Sequence, residues 1–466
     1  MSEEGAVGNR HSVGAALDRV RGILLHPFTV VMVMALAVRL VIMPVLTYNY
    51  DVSYWALIIR NIQAGNGLYE VSGYYYTPVW GYFLGAVGKV CGVLGVDTSV
   101  VRFDDLLVVE DTWWPYYVAN LTGTAFNVMV KTPLVVCDFL VGYLVYWLVK
   151  DRTGDASKAL AGMALWLFCP IVVYMSAGQG MFDTISVLFT LLTVILAYRG
   201  NYLLAGAAFS VAVLTKFFPI YIAFALIAYV IRKHRGDRAG MARFLGLAAL
   251  GFIGMTLLIY APVIAQSTVS ESFLFFTDRL GRAMYSGTGE QAVPIMTLLT
   301  SMVFLVQPII IGFVVYAAYR LYDSDNPDVD GGFLKVCMFS LALAFAWPSS
   351  PQYLLVLLPL LAYHVAVVDG GYLRPFLMIG FGAAFAGFFM CNFTMLLSFS
   401  KQTGLIGTET VLSIIGWMDA TLAFGLPRML FLVVAAGALQ MAGIWLLLVK
   451  GFLEHRRGGT YAADAA

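Results

Sequence analysis

Residues 241–264 read MARFLGLAALGFIGMTLLIYAPVI and contain a single charged side chain, Arg243. A helix of about 20 mostly apolar residues crosses the hydrocarbon core of a bilayer, so this stretch predicts a transmembrane helix. Comparable runs recur along the chain, near residues 22–47, 124–149, 159–176, 182–198, 202–215, 217–231, 241–264, 294–319, 333–347, 353–368, 374–397 and 427–449. The pattern predicts an all-α, polytopic membrane protein of about 12 transmembrane helices, forming one domain over residues 1–466.

The composition excludes most soluble classes of protein. Hydrophobic residues make up 61% of the chain and charged residues 12%, whereas a soluble domain averages about 45–50% apolar and about 25% charged residues. The net charge of +1 gives no basic field that would attract nucleic acid. The histidines and cysteines follow no zinc-ligand spacing, and no glycine-rich dinucleotide loop follows a predicted strand. We therefore expect neither nucleic-acid binding nor nucleotide-sugar chemistry on a soluble domain.

The placement of basic residues predicts the orientation in the membrane. An even number of crossings puts both termini on one side, and the connections on that side hold far more Lys and Arg than those on the other. Basic loops stay in the cytoplasm, so we expect both termini there, in the cell membrane or, in a eukaryote, the endoplasmic reticulum. The long connections, 48–123, 265–293 and 398–426, then face the extracytoplasmic side. Binding and chemistry concentrate in long loops, which favours this outer face as the working face.

Two adjacent runs, 202–215 and 217–231, are each too short to cross a bilayer as a helix. They meet at Lys216-Phe217-Phe218-Pro219, where Pro219 removes a backbone donor and interrupts any continuous helix. Non-helical backbone at membrane depth is tolerated only where it faces protein or a wet cavity. This hairpin therefore predicts an interior cavity open to the outer side, with Lys216 at its tip.

The first outer loop contains a predicted amphipathic helix. Apolar side chains recur at helical spacing between residues 51 and 64, and Gly65 and Gly67 end the pattern. A helix this short cannot span a bilayer, so we expect it to lie flat at the membrane interface. The segment from Thr77 to Gly95 is expected to do likewise.

Asp51 lies between the first span and this helix, and the residues alone leave three interpretations. The carboxylate caps the helix, is a solvated loop acid, or is a half-buried general base whose pKa partial desolvation raises. Tyrosines of the same loop, Tyr76 among them, are typical of the aromatic belt at the headgroup level. The alternative for these tyrosines is a ring on which the face of a sugar stacks.

Several short motifs follow one another in a fixed order. They are Asp51…Gly67-Leu68-Tyr69…Tyr75-Tyr76-Thr77-Pro78, Trp166-Leu167-Phe168-Cys169-Pro170, Gly178-Gln179-Gly180-Met181-Phe182-Asp183, Gly206…Lys216-Phe217-Phe218-Pro219, and Pro351-Gln352-Tyr353-Leu354-Leu355…Leu358-Pro359. In this order they resemble the pattern of the glycosyltransferase C superfamily, and its polyprenol-phosphate-mannose-dependent mannosyltransferases, such as glycosyltransferase family 87, match best. Lys131 and Asp138 are similar to a Lys-plus-Asp pattern in the mannosyltransferase that starts glycosylphosphatidylinositol assembly.

The resemblance implies an integral-membrane enzyme. It would move a hexose, foremost mannose, from a polyprenyl- or dolichyl-phosphate donor to a lipid-linked or glycan acceptor hydroxyl on the outer side, with Asp51 activating the acceptor. Relatives often carry Asp-x-Asp where this chain has Asn49-Tyr50-Asp51. A lone carboxylate is a poor ligand set for a divalent ion, so we expect no required metal and no other cofactor. Cys169 replaces the Asn of its motif, which indicates a structural role.

Two cationic sites are candidates for contacts to the donor phosphate or sugar. Lys216 is the first, because ionisable residues within a membrane are usually functional; its alternative is a pair with Asp183 or Asp138 that only ties helices together. Arg279 and Arg282 lie three residues apart in an outer loop. They either clamp a phosphate with paired hydrogen bonds or face solvent and lipid headgroups.

Uncharged and paired residues supply the remaining candidates. Gln179 and Asp183 lie four residues apart at the outer mouth of a span, where they either bind sugar hydroxyls or hold helices together. The pair Gln352-Tyr353 follows a proline-rich break and is expected to line the cavity. The pair Lys131 and Asp138, two turns apart on one helical face, either supports the site from behind or pairs between helices.

A secondary transporter or lipid flippase is the competing function. Many spans and a broken-helix hairpin also occur in transporters. The long outer loop with its flat helix, together with the lack of a detectable two-halves repeat, favours the enzyme.

Overall fold

The computed structural model describes residues 25–46, 49–70, 74, 76–102, 120–273, 294–324, 326–392, 406–423, 425 and 427–456. These residues are mostly helical. The α-helices are α1 (Pro27–Ile42), α2 (Asn49–Gln63), α3 (Pro78–Leu94), α4 (Thr124–Thr153), α5 (Ala156–Leu167), α6 (Pro170–Val173), α7 (Asp183–Tyr198), α8 (Tyr202–Thr215), α9 (Ala223–Lys233), α10 (Arg238–Ala265), α11 (Pro294–Tyr322), α12 (Val329–Ala344), α13 (Leu358–Val367), α14 (Leu373–Gly387), α15 (Thr408–Asp419) and α16 (Arg428–Arg456).

Shorter helical segments and one strand pair join these helices. The 3₁₀ segments are Leu68–Glu70, Phe218–Ile222, Glu271–Phe273, Pro351–Val356 and Gly370–Tyr372, and the π-helical segments are Tyr174–Gln179 and Phe388–Asn392. Strand β1 (Val100–Arg102) pairs antiparallel with β2 (Asn120–Thr122), with Val101 opposite Leu121. The all-α prediction is therefore confirmed for the bulk of the described chain, and this short strand pair is a departure from it.

Each predicted apolar run coincides with a helical element. Within the described residues, four helical segments are long and apolar enough to cross a bilayer alone: Thr124–Thr153, Arg238–Ala265, Gly370–Met390 and Arg428–Glu454. A fifth becomes possible if α5 and the segment Pro170–Gln179, which bend by 51° at Cys169-Pro170, count as one span. The protein is therefore an integral membrane protein built of helices.

The break after α5 has a local cause. Pro170 begins α6 without a backbone N–H, and Cys169 caps the new helix with an extended backbone. Cys169 is buried, and its sulfur lies 2.8 Å from the position that a Cβ on Gly380 of α14 would take, so this corner packs tightly against α14. A packing position of this kind agrees with the structural role expected for Cys169.

The predicted break between the two short runs is also present. Helix α8 ends at Thr215, Lys216 adopts an extended conformation, and Pro219 lies in the first turn of the 3₁₀ segment Phe218–Ile222 before α9 begins. Helix α8 packs along α10 so closely that a Cβ on Gly206 would overlap the carbonyl of Ala248, and one on Gly251 that of Leu203. Small residues thus bring these two backbones together.

One end of the bundle is held by ion pairs between connections. Arg152 binds Asp328 at 2.6 Å, Arg199 binds Asp151 at 3.0 Å, Lys233 binds Asp330 at 3.1 Å, and Lys335 binds Glu454 at 2.7 Å. The connections predicted to be basic therefore meet at the same end of the bundle. The break at Lys216 and the amino end of α7 lie at the opposite end of the bundle, because each is one helix length away from these ion pairs.

The segment between α1 and α4, predicted to be the first outer loop, packs onto that opposite end. On α2, Trp55, Ile58 and Ile59 have no exposed surface, and α2 contacts α3, β1 and β2. Gly65, with φ of +88°, ends the turn after α2 as the sequence predicted. The apolar stripe of α2 thus faces protein, and Leu57 and Arg60 face outward.

Candidate functional site

Lys216 and Asp183 form a buried ion pair at this end of the bundle. Lys216 Nζ lies 3.3 Å from Asp183 Oδ2, and the two side chains are 9% and 4% exposed. Asp183 begins α7 and Lys216 follows the last residue of α8, so the pair joins the start of one helix to the end of the next. Of the two partners considered for Lys216 from the sequence, Asp183 is the one it contacts.

Aromatic rings enclose the Lys216 ammonium. Nζ lies 4.2 Å from the centre of the Phe182 ring, 5.5 Å from Tyr353 and 5.7 Å from Tyr76. A cation over a ring face is attracted by the ring quadrupole, so the three rings hold the ammonium in a site from which water is largely excluded. Tyr76 and Tyr353, both singled out from the sequence, are thereby brought to Lys216.

A narrow pocket opens beside the ion pair. Its lining combines polar side chains with aromatic and aliphatic ones: Asp183, Ser186, Val187, Lys216, Phe218, Pro219, Gln352, Tyr353, Leu355 and Val356. Phe218 packs on Tyr353 with ring centres 4.4 Å apart. The break at Pro219 and the 3₁₀ segment Pro351–Val356 both face this pocket, so the irregular backbone lies where the sequence predicted a cavity.

Hydrogen bonds anchor the first outer loop to the same place. Thr77 Oγ1 donates to the carbonyl of Leu214 in the last turn of α8, and Tyr69 donates to the carbonyl of Tyr76 at 2.8 Å. Burial raises the pKa of the Tyr69 phenol, so it stays a neutral donor. The loop that carries Tyr76 is therefore fixed to Leu214, two residues before Lys216.

Asp51 lies in the first turn of α2 and is partly buried. One turn further along the same helical face, Trp55 packs on Phe182 and on Tyr76, with ring centres 5.9 Å apart in each case. Val52 lies against Gly180. Because Phe182 is also the nearest ring to Lys216, one layer of contacts connects the helix of Asp51 with the Lys216 pocket.

Gln179 ends the π-helical turn that leads to Asp183. Its side chain is 3% exposed, and its Oε1 has no hydrogen-bond partner within the described residues. The indole N–H groups of Trp55 and Trp80, both buried, are likewise unpartnered there. Trp80 stacks on Phe182 at 5.2 Å. Buried polar atoms normally find hydrogen-bond partners, so a ligand could supply the missing hydrogen bonds of these three neutral groups.

Lys131 and Asp138 hold helices together in two separate ways. Lys131 Nζ donates to the carbonyls of Met43 at 2.9 Å and Leu46 at 2.5 Å, which fixes the end of α1 just before α2. Asp138 pairs with Arg39 of α1 at 2.9 Å and accepts a hydrogen bond from Ser176. The two residues therefore support the segments that carry Asp51 and Gln179.

Some residues around Lys216 were missed from the sequence, and some predicted site residues lie outside the described part of the chain. Phe182 and Ser186 were not predicted as site residues. Each lies within three residues of Asp183, which was predicted from its motif. Arg39 was not among the predicted site residues. The predicted cationic pair Arg279 and Arg282 lies outside the described residues. Within the described residues, no cluster of three or more His, Cys, Asp or Glu could hold a metal ion.

Comparison with known proteins adds one family. The sequence matches the family described as dolichyl-phosphate-mannose-protein mannosyltransferase over residues 112–265, about a third of the chain. The matched part contains Gln179, Asp183 and Lys216, whereas Asp51 lies before it. The comparison with curated proteins finds no match. The family match indicates that the chain is a membrane glycosyltransferase that resembles the mannosyltransferases of the glycosyltransferase C superfamily, without being assigned to family 87 within it.

Proposed function

We propose that the protein transfers a hexose, foremost mannose, from a polyprenyl- or dolichyl-phosphate donor to a lipid-linked or other glycan acceptor hydroxyl on the extracytoplasmic side. The observation that carries the proposal is the Lys216–Asp183 pocket. The break between α8 and α9 lines this pocket, and the loop that holds Asp51 packs over it. The family match covers α7 and the break after α8, which carry Asp183 and Lys216, and ends before the pocket residues Gln352 and Tyr353. The named donor of that family is a lipid-phosphate sugar, which supports the same donor class here.

In the proposed reaction Asp51 is the general base. Its carboxylate takes the proton of the acceptor hydroxyl, the acceptor oxygen forms a bond to C1 of the sugar, and the bond from C1 to the phosphate oxygen breaks. The polyprenyl phosphate leaves with the electron pair. One positioned base contributes about 10²–10⁴-fold in rate. Partial burial of Asp51 in the first turn of α2 supports this role.

The proposed membrane arrangement has about 12 crossings with both termini in the cytoplasm. The distribution of basic residues between the two ends of the bundle supports this arrangement. The basic connections with Arg152, Arg199 and Lys233 meet at one end, and the pocket lies at the other. Asp51, Lys216 and the long loops would then face the extracytoplasmic side, where lipid-phosphate sugars are consumed.

We propose that no divalent metal is required, since Asp51 is a lone carboxylate in its motif. A polyprenyl monophosphate is already a good leaving group. The phosphate charge is then met by cations of the protein, with Arg279 and Arg282 as candidates. Transfer that is undiminished by a chelator supports this; transfer that stops with the chelator and returns with Mg²⁺ or Mn²⁺ contradicts it.

The test is transfer by the purified protein in liposomes. Radiolabelled polyprenyl-phosphate-mannose is incubated with protein and a membrane lipid extract, and polyprenyl-phosphate-glucose is run in parallel. We expect label to appear in a new lipid or glycan product. If no lipid-phosphate sugar gives transfer while the vesicles accumulate a solute or flip the lipid, the protein is a transporter or flippase instead.

A further inference from the structure

We infer that the Lys216–Asp183 pocket binds the uncharged hexose ring of the donor and not its phosphate. This inference rests on the proposed function and assigns the two ends of the donor to different places. It begins from the charge of the pocket. The ammonium of Lys216 is 3.3 Å from a carboxylate that is 4% exposed, so the pair as a whole is neutral.

A neutral pair is a poor phosphate site. A phosphate that approached Lys216 would also approach Asp183, and the repulsion between two anions is strong where water is excluded. Removing Asp183 from Lys216 to admit the phosphate would leave a buried carboxylate without its cation. Phosphate sites instead gather unpaired cations or backbone N–H groups, and none of the other pocket-lining residues is a cation.

The same pair suits a sugar hydroxyl. A hydroxyl donates one hydrogen bond and accepts others, so vicinal hydroxyls can donate to Asp183 and accept from Lys216. Gln352 and Ser186 add neutral polar groups to the lining. The rings of Phe218 and Tyr353, which pack on each other at a tilt of 35°, add the apolar wall against which the C–H face of a pyranose packs.

Three unpartnered atoms extend this pattern: two belong to tryptophans that pack on Phe182, and one belongs to Gln179, three residues before it. Gln179 Oε1 is a buried acceptor, and Trp55 Nε1 and Trp80 Nε1 are buried donors, each without a partner in the described part of the chain. All three are neutral, and together they offer donors and an acceptor. Leaving such groups unpaired is costly, and hydroxyls are ligands that can pair with both kinds.

The experiment compares a lipid that carries the sugar with one that does not. Wild-type protein in lipid nanodiscs is titrated with polyprenyl-phosphate-mannose and with sugar-free polyprenyl phosphate. The test variant is Lys216→Gln/Asp183→Asn. It removes both charges together, so that neither charge is left buried without its partner. The matched control is Lys335→Gln/Glu454→Gln, a partly buried pair at the other end of the bundle.

We expect the test variant to bind the mannosyl lipid about tenfold more weakly or worse and the sugar-free lipid with unchanged affinity. The control should bind both as the wild type does. An equal loss for both lipids means that the pocket contacts the phosphate, and no loss for either means that it contacts neither; both results overturn the inference. A wild-type protein that binds neither lipid contradicts the proposed function itself.

A second measurement covers a test variant that does not fold. The wild type is titrated with polyprenyl-phosphate sugars that lack single hydroxyls. At least one deoxy lipid should bind about tenfold more weakly than the mannosyl lipid, because a buried polar group then loses its partner. If every deoxy lipid binds as tightly as the mannosyl lipid, the pocket does not recognise the ring and the inference is wrong.

Discussion

Arg39 and Asp138 form an ion pair with no exposed surface that ties α1 to α4. Arg39 Nε donates to Asp138 Oδ2 at 2.9 Å, and Arg39 Nη1 donates to the carbonyl of Leu167 at the end of α5. Ser176 of the π-helical turn donates to the same carboxylate. Four segments therefore meet at one buried charge pair, below the turn that carries Gln179.

Breaking this pair should be costly, because one charge would remain buried and unpaired. We expect Asp138→Leu to lower the free energy of unfolding by about 3–5 kcal/mol, measured by denaturation of the purified protein in detergent. The double variant Arg39→Met/Asp138→Leu should recover much of the loss. Lys450→Met, which disrupts a partly exposed pair with Asp369, should cost less than about 1 kcal/mol. A double variant no more stable than Asp138→Leu contradicts the account.

The close crossing of α8 and α10 gives a sharper packing prediction. A Cβ on Gly251 would overlap the carbonyl of Leu203, whereas a Cβ on Gly254, one turn away in α10, would meet nothing within 4 Å. Gly251→Ala should therefore destabilise the protein by about 1–3 kcal/mol through overpacking. Gly254→Ala should be neutral or slightly stabilising, since alanine is the better helix former. Equal thermal midpoints for the two variants would show that the helices are not in this contact.

Lys131 is predicted to position the helix of Asp51 without touching the donor. Lys131→Met removes the hydrogen bonds to Met43 and Leu46 and leaves two buried carbonyls unpaired, at about 1–3 kcal/mol each when nothing replaces the donor. We expect the maximal rate of transfer to fall while the affinity for the donor lipid stays that of the wild type.

The neighbouring Thr132→Val is the control, because Thr132 is exposed and bonds only within its own helix. Its rate and affinity should both match the wild type. A Lys131→Met protein that loses donor affinity and keeps its maximal rate would place Lys131 in contact with the donor instead.

The break between α8 and α9 was predictable, since its cause is local. Pro219 shows in the sequence, and the helix ends there as expected. The corner at Pro170 was not foreseen: run 159–176 was predicted as one span, whereas α5 and the following segment bend by 51°. The strand pair β1–β2 was also missed, because three-residue strands carry no periodic signal of their own.

Long-range partners could not be derived from the sequence. Asp138 pairs with Arg39, which precedes it by 99 residues, and no spacing rule selects that partner over Lys131 or Lys216. The stripe of α2 correctly predicted a helix with one buried face, yet it faces α3 and neighbouring segments of the protein. An apolar stripe indicates that a face is covered and does not say what covers it. Lys216, Asp183, Tyr76, Gln352 and Tyr353 were found from motifs, and the structure brings these five together.

The most direct test of the central claim is the rate of sugar transfer by Asp51→Asn. We predict a loss of about 10²–10⁴-fold in transfer with donor affinity and thermal midpoint unchanged. Glu70→Gln, which changes an exposed acid of the same loop that accepts from the Gly67 N–H, should transfer at the wild-type rate. Near-normal turnover by Asp51→Asn would remove Asp51 as the base and contradict the proposed mechanism.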